Sequence, residues 1–371
     1  MSASAEIVWP DYQCCGVNLA ASILAHYGVQ SGHTTLPVLD SYLKRGYRNV
    51  VLLILDGLGA TTLEESFPEN SFLKKRRISE MSAVFPSTTT AATTSFRTGL
   101  TPAEHGWLGW TLYFKEIGKS VDIFSNREQF TGEMAAEFHA ASSLLKVKDI
   151  TKIITAKGQA EGTAISAHDK IYAADMPQLI SRILESCRKP GRHYVYAYFG
   201  EPDASMHTSG IHSRESHEVL NLLDAQIEEL AMKLPEDTLL VVTADHGLID
   251  TEPAIIEEQA DVMRMLVRPP VMEPRAAAMY VKEEYIEYFP DVFNAAFGRD
   301  FLLLDSLKAL DRGLFGEGRR REGLIDLLGN YVAIAVGSRA LYQKRALQHL
   351  IRMHAGLTRR EMRVPLIIGK K

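Results

Sequence analysis

Seven short runs of β-branched, aromatic and aliphatic residues recur along this chain of 371 residues, and their placement leaves few folds open. They cover residues 50–55, 162–166, 193–199, 238–243, 276–281, 331–336 and 364–368, and they read as buried parallel strands. Between them lie helical patterns at 17–26, 178–187 and 216–234. In the last of these Leu220, Leu223, Ile227, Leu230 and Leu234 keep one apolar stripe. Strands alternating with helices predict an α/β fold whose central sheet is mixed but mostly parallel, with helices on both faces. A single domain over 1–371 is expected. The charged, glycine-containing stretch 282–328 breaks the rhythm and reads as a small cap or insertion.

Composition narrows the function. With 41 Lys and Arg against 46 Asp and Glu the net charge is −5, which offers no electrostatic case for binding a nucleic-acid polymer or an anionic membrane. No apolar run approaches the roughly 20 residues that cross a bilayer. The opening Met-Ser-Ala-Ser-Ala-Glu lacks the basic and apolar segments of a secretory leader, and the cysteines are only Cys14, Cys15 and Cys187. A reducing cytoplasm is the expected address.

The strand ends carry the chemistry, because open α/β sheets bind ligands beyond the carboxyl ends of their strands. The first run leads straight into Asp56-Gly57-Leu58-Gly59, the third into Gly200-Glu201-Pro202-Asp203 with His207 four residues on, and the fourth into Ala244-Asp245-His246-Gly247. His354 stands about ten residues before the last run. Four residues put Asp203 and His207 on one side of a helical turn, and Gly247 permits a sharp bend. Three Asp and three His make mixed N/O donor sets for divalent metal, with Zn²⁺ first and Mn²⁺ or Co²⁺ as alternatives; Ca²⁺ and iron–sulfur clusters fit poorly. Gly57-Leu58-Gly59 also imitates a dinucleotide-binding start, but Thr62 stands where the third glycine belongs.

The segment Phe85-Pro86-Ser87-Thr88-Thr89-Thr90 reads as a hydroxyl-rich N-cap, followed by a short helix that closes at Gly99. A helix start of this kind can hold phosphate oxygens, and metal beside a threonine hydroxyl turns it into a nucleophile.

Taken together, these motifs resemble the alkaline phosphatase superfamily, and within it the type I phosphodiesterase/nucleotide pyrophosphatase family. The resemblance runs from Val50 to Ile368 through Leu55-Asp56-Gly57, Phe85-Pro86 with Thr98-Gly99, Glu201-Pro202-Asp203 with His207, Asp245-His246-Gly247 and His354, all in the family's order. It implies an alkaline-phosphatase-like core and a metal-dependent hydrolase of phosphate esters acting on a small phosphorylated substrate, a nucleotide among the candidates. By the family's spacing the nucleophile is Thr89, with Thr88 and Thr90 as its neighbours in reserve. The resemblance implies one metal on Asp56, Asp245, His246 and Thr89, and another on Asp203, His207 and His354, while His105 belongs to a structural turn.

One position departs from the family pattern. Where these phosphodiesterases commonly carry an Asn that donates to phosphate, this chain has Trp110, inside the aromatic segment Trp107–Phe114. Trp107, Trp110 and Tyr113 are therefore candidates for a stacking wall, against the alternative of a cap packed on the core. Phosphomonoesterase, phosphonate hydrolase and phosphomutase chemistry on the same metals remain the competing enzyme readings, and a non-catalytic metal- or dinucleotide-binding protein is the reading from outside enzymes. No Cys-x-Pro-x-Arg sulfatase mark occurs.

Overall fold

The strand Asn49–Leu55 is buried along its whole length and sits at the middle of a seven-stranded sheet. The computed structural model describes residues 6–344 and 352–370. Across the sheet the strands run in the order Arg77–Ser82, Arg363–Lys370, Thr238–Thr243, Asn49–Leu55, His193–Phe199, Glu161–Ser166 and Ile171–Tyr172. The last five are mutually parallel, which accounts for their near-continuous apolar runs. Leu55 lies opposite Phe199 and Ile54 opposite Thr243, so the three motif-bearing strands end level with one another. Register thus delivers Asp56, Asp203 and Asp245 to one edge.

Arg363–Lys370 departs from the expected direction: it is antiparallel to both of its neighbours. The reason lies just upstream. The segment bearing His354 is already at the carboxyl edge of the sheet, and only a short helical turn, Arg359–Met362, separates it from the strand. A strand starting at that edge has to run back down.

The helices Met176–Arg188 and Arg214–Lys233 pack on each other and on the sheet, the second burying the predicted Leu220, Leu223, Ile227 and Leu230 stripe. Thr89–Thr98 lies between Gly16–His26 and Ile150–Ala156. No helix among the described residues is long and apolar enough to cross a membrane.

A second sheet, also of seven strands, corrects two further expectations. Ala276–Met279 and Tyr331–Ala335 do not join the parallel sheet; they pair antiparallel in the order Phe301–Asp305, Tyr331–Ala335, Ala276–Met279, Val271–Glu273, Thr111–Phe114, Lys119–Asp122 and Arg127–Glu128. Both strands are buried on both faces, partly under Phe289, Phe293 and Phe297 of the helix Phe289–Phe297, so they lack the alternation that marks a half-exposed antiparallel strand. Within 282–328 the chain forms this helix, the strand Phe301–Asp305 and the short helices Ser306–Asp311 and Leu324–Leu328.

Candidate active site

Thr89 opens the helix Thr89–Thr98, and Gly99 closes it in the left-handed conformation. Its Oγ1 stands 3.1 Å from His246 Nε2 and 3.5 Å from Asp56 Oδ1. Asp56 is the first residue beyond its strand. Gly57 then turns at φ +71°, where an added Cβ would lie 2.9 Å from the Asp203 side chain, so the turn needs glycine on both counts. Gly247 is required for a different reason from the bend expected of it. A Cβ there would come within 2.0 Å of the Arg360 carbonyl, so the absence of a side chain lets two backbones meet behind His246.

The acids and imidazoles converge. Asp56, Asp245 and His246 form one group with mutually close ligand atoms, and Asp203, His246 and His354 form another; all the atoms in each group lie within 4.8 Å of one another. His207 joins through Asp203: the two are on the helix Asp203–Ser209, and Nε2 is 3.1 Å from Asp203 Oδ2. All six predicted ligand residues therefore meet at one edge, with His246 common to both groups.

The donor set fits divalent metal. Asp245 Oδ2, Asp203 Oδ1 and His354 Nδ1 are buried without a hydrogen-bond partner among the described residues, a costly state for polar atoms unless a cation faces them. Asp245 Oδ1, by contrast, accepts from the backbone N–H of Gly57 and His246 at 3.1 and 3.0 Å. Burial pushes the Asp56 carboxyl well above the usual range, and the neighbouring Asp245 and Asp203 push it further, while the Tyr198 hydroxyl donates to it and opposes the shift. Burial, with His246 and His207 alongside, drives His354 well below the usual imidazole value, so it offers a neutral nitrogen. For His207 burial acts downward, but the Asp203 carboxylate outweighs it and the value rises.

A cleft of about 1590 Å³ opens over this edge and is lined by Asp56, Thr89, Asp203, His207 and His354 on one side and by Trp107, Trp110 and Phe124 on another. The Trp110 indole is 51% exposed and packs edge-on against Phe124 at 5.4 Å between centroids. Trp107 is anchored by Nε1 donating to the Leu145 carbonyl at 3.0 Å. Tyr113 is placed elsewhere. The Arg268 guanidinium covers its ring at 3.3 Å, it packs edge-on against Tyr280, and it does not line the cleft.

His105 is fully buried, accepts from the Trp107 N–H at Nδ1 (3.0 Å) and lies 3.1 Å from Ser95 Oγ through Nε2. It braces the turn after the nucleophile helix.

The model of the family described as type I phosphodiesterase / nucleotide pyrophosphatase matches residues 50–295. The chain belongs to that family. No curated protein matches it by sequence. Among solved structures, this family member is similar to murine ectonucleotide pyrophosphatase/phosphodiesterase 5, an inactive form in complex with AMP, with TM-score 0.64 and 18% identity over 85% of this chain and 87% of that one. The human protein of the same name gives TM-score 0.68 and 15% identity over 86% and 87%. Phosphonoacetate hydrolase from Sinorhizobium meliloti, in complex with phosphonoformate, gives 0.63 and 16% over 87% and 90%. These likenesses establish the shared mixed α/β fold, and the family match makes the chain a metal-dependent phosphoester hydrolase of the phosphodiesterase/nucleotide pyrophosphatase type.

Sequence reasoning missed Glu273. It is 6% exposed, lines the cleft and uses one oxygen, Oε1, to accept from Thr88 Oγ1 at 2.6 Å and from the Trp110 N–H at 2.8 Å. Burial pushes its carboxyl up to about 7, against those two hydrogen bonds. Its partners are 185 and 163 residues away, and nothing in Val271-Met272-Glu273-Pro274 marks it in advance.

Proposed function

We propose that this family member is a two-metal phosphodiesterase in which Thr89 Oγ1 attacks phosphorus in line. The phosphorus–oxygen bond to the leaving alcohol breaks, and the phosphoryl group passes to Thr89. Water then cleaves the resulting diester of Thr89, which still carries the substrate's second alcohol, releasing the phosphate monoester and restoring the hydroxyl. The observation that carries this reading is the position of Thr89 Oγ1, at a helix start and 3.1 Å from the histidine shared by both ligand groups. Asp56, Asp245 and His246 would hold one ion and Asp203, His207 and His354 the other, with Zn²⁺ as the best match to these donors. Bound metal supplies the charge that lowers the hydroxyl pKa and neutralises phosphoryl oxygens.

The residues of this chain do the rest. Asp56 Oδ1 accepts the hydroxyl's hydrogen bond, and Tyr198 in turn fixes the Asp56 carboxyl. Trp110, half exposed over the cleft, would stack on a planar group of a small substrate such as a nucleotide. A phosphonate substrate is the second reading, supported by the fold shared with phosphonoacetate hydrolase. Free thiols at Cys14, Cys15 and Cys187 support a reducing compartment.

The deciding experiment is Thr89→Ala in metal-reconstituted protein, assayed on aryl phosphodiesters and on a phosphonate. Turnover is expected to vanish while metal content is kept, and Thr89→Ser is expected to retain part of it. Activity of Thr89→Ala within about tenfold of the unmodified protein, roughly 1.4 kcal/mol of barrier, would remove Thr89 as nucleophile.

A further inference from the structure

Thr88 has the residue type and the extended backbone, φ −135° and ψ 152°, of a helix N-cap, yet its side chain makes no cap hydrogen bond. An N-cap threonine ordinarily accepts from the N–H groups at the second or third helical position. Here the hydroxyl donates to Glu273 Oε1 at 2.6 Å instead. The donors of the first turn of Thr89–Thr98 are therefore left without the side chain that usually covers them. Thr89 Oγ1, at the start of this helix, is 3.1 Å from Nε2 of His246, the histidine common to both groups of acids and imidazoles, so the uncovered donors open at the edge where an anion and its metals are expected.

Glu273 is held firmly in this role. The backbone of Met272 just before it sits at φ +80°, a left-handed conformation that a non-glycine residue keeps only when its surroundings impose it. Gly109 supplies the surroundings. A Cβ there would lie 2.9 Å from Met272 Cα, so the two backbones are pressed together, and the next residue, Trp110, donates its N–H to the same Glu273 oxygen at 2.8 Å. The Trp110 N–H is thereby occupied and is not a donor for phosphate, which leaves the helix start as the backbone donor set near the nucleophile.

We propose that Glu273 is a positioning residue that diverts the Thr88 hydroxyl from capping the nucleophile helix and so keeps the helix N-terminus open for phosphoryl oxygens. The inference rests on the placement of the phosphoryl group at Thr89, and it assigns Glu273 an action on anion binding and not on bond breaking. Removing the acceptor frees the hydroxyl to rotate onto the first-turn N–H groups, where it competes with the ligand. Removing the hydroxyl as well takes the competitor away.

The test measures inorganic phosphate binding by titration calorimetry to metal-reconstituted protein in a Thr89→Ala background, so no turnover is needed. Glu273→Met, similar in volume, and Glu273→Ala are each expected to weaken phosphate by about fivefold, the scale of one cap. Glu273→Gln, which keeps an oxygen acceptor, is expected to stay within about twofold. Adding Thr88→Val to Glu273→Met is expected to restore most of the loss, a recovery that a merely structural role would not produce. In the Thr89-intact enzyme the same loss should appear in KM, with kcat little changed. Unaltered phosphate binding in the folded Glu273 variants, or a double variant no better than Glu273→Met alone, overturns the proposal. Persistent turnover of Thr89→Ala would instead unseat the nucleophile while the phosphate measurements still read the cap.

Discussion

The imidazoles of His246 and His354 lie face to face, with centroids 3.8 Å apart and planes 23° from parallel. Both rings are buried and their nitrogens differ in surroundings: His246 Nε2 lies 3.1 Å from Thr89 Oγ1, while His354 Nδ1 has no hydrogen-bond partner among the described residues. His354→Ala is therefore expected to weaken one ion selectively, leaving the site built on Asp56 and Asp245. Elemental analysis after reconstitution should fall from about two metals per chain to about one. A full complement in the variant would show that His354 is not a ligand. Chelation of the unmodified protein should also lower its stability, by about 2.7 kcal/mol where metal had stood at 100 times its Kd.

Trp110 and Trp107 should separate in their effects. Trp110 presents an open indole to the cleft, whereas Trp107 is tied through Nε1 to Leu145. An aromatic face stacked on a base is worth about 1–3 kcal/mol. Trp110→Ala is thus expected to raise KM for a nucleotide diester by roughly fivefold or more while a small alkyl diester is little affected. Trp107→Phe should lower thermal stability by about 1 kcal/mol through the lost hydrogen bond, with KM nearly unchanged. Equal changes on all substrates in Trp110→Ala would place that ring outside the binding path.

The parts of this site that local sequence reveals are those lying where strands stop. His193–Phe199 and Thr238–Thr243 are apolar through to a small or polar residue, so the acids and histidines after them could be read directly. Parallel register then brought them together. Ala276–Met279 could not be assigned to its sheet in the same way, because burial on both faces removes the alternation that distinguishes sheet types. Glu273 and Arg275 were illegible for a related reason: their partners come from the nucleophile segment and the C-terminal region, and a buried charge between two sheets leaves no periodic signal.

His105 makes acid stability a second readout of the nucleophile region. Burial, with Arg321 nearby, pulls its pKa from about 6.5 down to about 3. Below pH 6.5 the unfolded chain takes up a proton on this residue and the folded chain does not, so stability is complete above that pH and falls as the pH drops toward 3. One such group contributes a slope of about 1.36 kcal/mol per pH unit, or about 2 kcal/mol between pH 6.5 and 5. His105→Asn, whose side-chain oxygen can still accept from the Trp107 N–H, is expected to lose that part of the slope. Urea unfolding of both proteins at pH 5 and pH 7.5 checks it, and parallel pH dependences would contradict a neutral buried imidazole.

The buried pair Arg275–Glu361 should control the placement of His354 from a distance. Both side chains are fully buried, Arg275 Nε and the second terminal nitrogen donate to the two Glu361 oxygens at 2.6 and 2.8 Å, and Arg275 also donates to the carbonyls of Arg339 and Gly337. Glu361 in turn accepts from the Gly356 N–H at 2.7 Å and from the Thr358 hydroxyl at 2.6 Å, while Ser87 donates to the Gly356 carbonyl at 2.9 Å. The pair therefore ties the second sheet to the loop that carries His354, and that loop to the nucleophile segment. Removing one partner leaves a buried charge uncompensated, at a cost of about 3–5 kcal/mol. Arg275→Met is expected to lose that much stability and, in the molecules that remain folded, to bind the His354-dependent metal more weakly. Replacing both residues with apolar ones, as in Arg275→Met with Glu361→Leu, should recover part of the stability because no lone charge is left. It should not recover the metal, since the Gly356 and Thr358 anchors go with Glu361. A double variant with full metal content would mean that the loop is held without Glu361, by the Ser87 hydroxyl and by backbone bonds such as that from the Leu357 N–H to the Ala335 carbonyl.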